Sequence, residues 1–115
     1  MTPMTSDLKA IVNAEIGRAW CSRNDEGGCS GRLEVSHPLG RKVQKRWMFH
    51  YLCTQHHRGE LKNNAKDKYI VYKQADDELI KQTFPKTFKQ HLQEKKYLTD
   101  LYEHPPHRGT EDSLA

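Results

Sequence analysis

The chain has 115 residues, 35% of them hydrophobic and 30% charged, with 19 Lys and Arg against 15 Asp and Glu. A chain this short builds only a small core, so an additional staple is expected. The sequence pI near 9.0 favours an acidic partner, with nucleic acid the obvious candidate, although the same excess can serve solubility alone. No apolar run approaches the roughly 18 residues of a membrane span, and "MTPMTSDLKA" lacks the charged-then-apolar layout of a signal peptide. An intracellular, cytoplasmic protein with no membrane partner is expected.

Residues 6–19 place Leu8, Ile11, Val12, Ile16 and Ala19 at helical spacing, with Ser6 as the expected N-cap and Asp7 at the positive end of the dipole. Residues 20–31 are rich in turn formers, and Gly27 and Gly28 can supply the positive φ angles of a tight loop. "RLEVSH" (32–37) alternates like a half-buried strand and ends at Pro38; "PLGRKVQKR" reads as a basic loop. "WMFHYLC" (47–53) reads as a second strand, with Trp47, Phe49 and Tyr51 on one face and Met48, His50 and Leu52 on the other. Together these predict a hairpin.

After Cys53 a helix can start, but Gly59 and the Asn63-Asn64 pair argue against a long one. Two more helices are expected over 75–84 and 85–102, the second with Pro85 in its first turn, and both are expected to cover the hairpin. The reading is one α+β domain over 1–103, with its core in 20–68 and a disordered tail over 104–115. His91, His104 and His107 have no evident partners in the sequence.

Cys21, Cys29 and Cys53 are an odd number in a chain with no export signal, which disfavours a disulfide framework. Free cysteines are often small buried hydrophobes, but Cys21 and Cys29 stand in a polar loop with little apolar company. Structural zinc takes four Cys or His ligands as two short-spaced pairs. Cys53-x2-His56 is one such pair, and Cys21-x7-Cys29 is a wider second one. Adjacent residues on a helix point about 100° apart, so His57 cannot easily share the site of His56 and needs a different role.

"LEVSH" followed by "LC-x2-HH" resembles the ββα-metal, or His-Me finger, nucleases of the HNH superfamily, particularly their phage and prophage members. The resemblance spans residues 21–58. It implies a small ββα-metal core with structural zinc, flanked by an N-terminal helix and C-terminal helices. It also implies a metal-dependent DNA endonuclease, acting in DNA recombination or processing, in which His37 is the general base and His57 holds a catalytic divalent ion such as Mg2+, Mn2+ or Ni2+.

Two positions depart from the family pattern. Ser36 stands where a stronger second ligand is common, with Glu34 on the same strand face able to help directly or through water. The middle Asn has no counterpart except His50, which either orients His37 or is a packed strand histidine. Arg41, Lys42, Lys45 and Arg46, with Arg58, are the cations expected to track DNA phosphates. Two alternatives stay open: a non-catalytic zinc-stabilised DNA-binding module, and an inhibitor or interaction protein on an HNH-derived scaffold. Either a monomer or a homodimer is compatible with the sequence.

Overall fold

The computed structural model describes residues 4–104. Helix α1 spans Ser6–Glu15 and continues as a 3-10 turn over Ile16–Arg18, where Gly17 loosens the helix. Its N-cap is Thr5 rather than the expected Ser6: the Thr5 hydroxyl accepts from Leu8 N at 3.3 Å. Strand β1 covers Leu33–Ser36 and β2 covers His50–Cys53. They pair antiparallel with Leu33 opposite Cys53, Glu34 opposite Leu52, Val35 opposite Tyr51 and Ser36 opposite His50.

The second strand is shorter than the alternation of 47–53 predicts. Arg46–Met48 forms a 3-10 turn instead. Side chains satisfy the carbonyls that a longer ladder would have used: Gln74 Nε2 donates to Trp47 O at 2.9 Å and Phe49 O at 3.0 Å, and Arg46 Nη1 donates to Phe49 O at 3.0 Å. Trp47 and Met48 are thereby released from the hairpin into a helical core with Tyr72, Ile80 and Leu98.

Helix α2 begins at once after β2 and runs only from Thr54 to Arg58; α3 follows over Asn64–Tyr72, with the Asn63 side chain as its N-cap. The helix after Cys53 is short, as Gly59 and the Asn pair argue, but α3, which begins at the second Asn of that pair, was not expected from the sequence. Helix α4 spans Asp77–Thr83, capped by Asp76, and α5 spans Phe88–Glu103. Pro85 lies ahead of α5, not in its first turn. These C-terminal helices do not wrap the hairpin as expected: α5 packs chiefly on α3 and α4, and the core they share takes in the 46–48 turn. His91 does find partners there, stacking on Phe84 at 4.0 Å and meeting the Tyr72 hydroxyl at 2.8 Å.

All four residues of β2 are buried because both faces of the hairpin are covered. On one side Phe49 and Tyr51 pack with Leu8, Val12 and Val35 under α1; on the other, Leu52 packs with Cys21 and Cys53 under the 20–31 loop. The result is a small α+β fold built on one two-stranded sheet. Among the described residues no helix is long and apolar enough to cross a membrane. The tail beyond residue 104 lies outside the described residues.

Candidate functional site

Cys53 ends β2 and His56 sits one turn into α2, so their side chains project from the same end of the hairpin. The loop over 20–31 folds back through Gly27, Gly28 and Gly31, all with φ near +80°. It brings Cys21 and Cys29 to the same point. The ligand atoms of Cys21, Cys29, Cys53 and His56 all lie within 4.8 Å of one another.

Three sulfurs converge on a single nitrogen. His56 Nδ1 is 3.1 Å from Cys53 Sγ, 3.4 Å from Cys21 Sγ and 3.6 Å from Cys29 Sγ. One imidazole nitrogen has one proton or one lone pair, so hydrogen bonding cannot account for all three contacts. A tetrahedral zinc with ordinary bond lengths sets sulfur and nitrogen ligands about 3.6 Å apart, which the cluster approaches throughout. Desolvation and then the neighbouring thiols of Cys21 and Cys53 push the exposed Cys29 up to about 11. For Cys53 burial acts upward, but the backbone N–H groups of His56 and Ser30 aimed at its sulfur bring it down to about 6. The four residues fit a structural zinc, with three sulfurs and one imidazole and no open coordination position.

Beside this knuckle lies a second polar cluster that uses the other face of α2. Thr54, His57 and Arg58 stand at i, i+3 and i+4, and all three donate to Glu34 on β1. Thr54 Oγ1 donates to Oε2 at 3.0 Å, His57 Nδ1 to Oε1 at 2.8 Å, and Arg58 forks onto both oxygens at 3.1 and 2.8 Å. A carboxylate has about four acceptor positions, and these four bonds fill them. Arg58 first, then His57, hold the Glu34 carboxyl down at about 2. Glu34, expected from the sequence as a candidate ion ligand, is thus engaged by protein donors.

His37 stands just past β1, where its carbonyl accepts from Gly40 N at 3.0 Å in a tight turn. Both of its ring nitrogens are buried without a hydrogen bond, and its ring lies 5.7 Å from that of Phe49. Burial, then the charges of Arg41 and His57, lower its pKa to about 4. His50, opposite the buried Ser36, is lowered to about 3 by burial and then by His57 and Arg23. Its Nε2 is 3.8 Å from Asp67 Oδ1, too long for a hydrogen bond. His50 is packed inside the fold, while His37 and His57 are partly exposed.

Of the expected DNA-tracking cations, Arg41, Lys42, Lys45 and Arg58 are exposed. Arg46 is occupied by the fold: it pairs with Glu15 at 3.0 Å and lies over the Phe49 ring at 4.5 Å. Two residues of structural weight were not singled out by the sequence. Arg23, 3% exposed, donates to Glu26, to His56 O at 3.3 Å and to Leu61 O at 2.7 Å. It also faces buried Asp67 of α3. The i, i+3 spacing of Arg23 and Glu26 is visible in sequence, but their long-range partners are not.

Compared with known proteins, the chain matches no family model, no curated protein and no solved structure.

Proposed function

We propose that this chain is a zinc-stabilised ββα-metal nuclease domain of the HNH type, which hydrolyses phosphodiester bonds in DNA with a divalent cation. The observation that carries the reading is the order of elements: His37, an imidazole with both nitrogens unbonded, directly follows β1, and His57 lies on the helix that directly follows β2.

In this reading His37 accepts the proton of the attacking water, which requires the ring to turn one of its buried nitrogens toward the substrate. Burial, and then Arg41, keep it unprotonated at neutral pH. His57 would hold the cation through Nε2, since Nδ1 is committed to Glu34; water and phosphate oxygens would complete the shell. The bound cation would stabilise the negative charge that develops on phosphorus and the leaving oxygen. Lys42 and Lys45, exposed in the loop after His37, would track the backbone without reading bases.

The test is cleavage of supercoiled plasmid by the zinc-loaded protein across Mg2+, Mn2+ and Ni2+, beside His37→Ala and His57→Ala. Each substitution is expected to reduce cleavage by 10²-fold or more. Cleavage that survives both rejects the assignment.

A second reading is favoured by one observation: Glu34 is saturated and Ser36 is buried, so the protein offers the ion little beyond a single imidazole. A DNA-binding module without catalysis would show no cleavage with any ion, yet salt-sensitive binding whose slope falls by roughly one for each of Lys42 and Lys45 removed.

A further inference from the structure

We infer that Glu34 is a positioning residue: by accepting the Nδ1 proton of His57 it locks that ring in one tautomer and turns the Nε2 lone pair outward for a divalent cation. This rests on the proposal that His57 holds the ion. It goes beyond that proposal in assigning which nitrogen binds and what makes it available.

A carboxylate only accepts hydrogen bonds, so the 2.8 Å contact between His57 Nδ1 and Glu34 Oε1 requires the proton on Nδ1. In the neutral ring Nε2 then carries the lone pair, on a side chain 30% exposed. Glu34 cannot swing away to release His57, because Thr54 and Arg58 pin its two oxygens and its side chain is 15% exposed. The donors come from one face of α2, whereas His56 on the neighbouring face points to the three sulfurs. The knuckle therefore fixes the rotation of α2, and that rotation presents His57 to Glu34. A carboxylate behind a metal-binding imidazole fixes its tautomer and orientation and raises its basicity. Glu34 is placed to do this from outside the coordination shell.

Nitrogen-15 NMR of the zinc-loaded full chain reads the tautomer of each imidazole from its two ring-nitrogen shifts. At a pH where the ring is neutral, wild-type His57 is expected as the Nδ1–H form; an Nε2–H ring overturns the inference, whatever the nuclease assay shows. Arg58→Ala, which keeps the Glu34–His57 bond, is expected to leave the tautomer unchanged. Glu34→Ala is expected to return His57 to the Nε2–H form that free histidine prefers, and if this variant fails to fold the wild-type spectrum decides alone. Mn2+ added to the wild type is expected to broaden the His57 ring signals, and Glu34→Ala is expected to need roughly 10-fold more Mn2+ or above for the same effect. Equal Mn2+ sensitivity overturns the positioning role. Absence of broadening in a wild type that shows the Nδ1–H form instead rejects His57 as the ion holder, and so the functional reading beneath it.

Discussion

Arg23 Nη1 lies 3.5 Å from Asp67 Oδ1, and each side chain is 4% exposed. The pair joins the 20–31 loop to α3, and the same guanidinium holds the carbonyls of His56 and Leu61 on either side of the α2 break. Removing one partner strands a buried charge. Arg23→Met is expected to destabilise the protein by about 3–5 kcal/mol in chemical denaturation, and the double variant Arg23→Met, Asp67→Leu to recover much of that loss. A loss within about 0.5 kcal/mol for the single variant would show that the pair does not hold the loop to the helix.

The knuckle predicts one zinc per chain by elemental analysis of purified protein. Chelation is expected to lower the melting temperature sharply, because binding energy at such a site is folding energy. Replacing zinc by cobalt should give the visible spectrum of a tetrahedral thiolate site. Cys21→Ser and Cys53→Ser are expected to lose the metal, and their buried positions leave no room for water to substitute. A folded, metal-free protein indifferent to chelators contradicts the cluster.

Gly31 has φ of +84°, and a Cβ there would lie 2.6 Å from Thr54 Oγ1 and 2.7 Å from Thr54 Cβ. Thr54 is itself bonded to Glu34, so the clash would disturb both clusters at the start of α2. Gly31→Ala is expected to cost about 2 kcal/mol or more. Gly17 is the contrast: a Cβ there meets nothing within 4 Å, and its φ is not positive. Gly17→Ala is expected to be neutral or to stabilise by about 0.5–1 kcal/mol. Thermal melts of the two variants side by side check both.

Acid should weaken the fold between pH 6.5 and 4. His37 and His50 are lowered to about 4 and about 3 by burial, from an ordinary 6.5. Their neutral forms contribute stability that is fully present above 6.5 and is lost as pH falls toward those values. Asp67 acts in the opposite sense. Burial raises it to about 6, so its contribution is complete below 3.8 and is lost as pH rises through 6. Two histidines against one aspartate give a net loss between pH 6.5 and 4. Melting temperatures across this window, with zinc in excess, should fall in the wild type and fall less steeply in His50→Leu. Parallel slopes would contradict a buried neutral His50.

Much of the local structure was legible in the sequence because it depends on neighbours in the chain. The strand around Leu33 and Val35, the turn at Pro38 and the short helix ending before Gly59 follow from side-chain period and backbone chemistry over a few residues, though the cap of α1 fell one residue from the expected Ser6. The grouping of Cys21, Cys29, Cys53 and His56 close enough to hold a metal ion was legible too, since Cys53-x2-His56 is a local spacing and the remaining two cysteines had few other uses.

What only the tertiary structure decided are the partners of buried polar groups. Nothing near Trp47 in the chain announces that Gln74 will take its carbonyl and end the strand there. Nothing near Glu34 announces that three donors from α2, His57 among them, will fill its oxygens. Periodicity reports which face of an element is apolar, whereas a hydrogen bond depends on positions to within a few tenths of an ångström. Those positions are set by how the hairpin, the knuckle and α3 pack together, and only the folded chain brings them into reach.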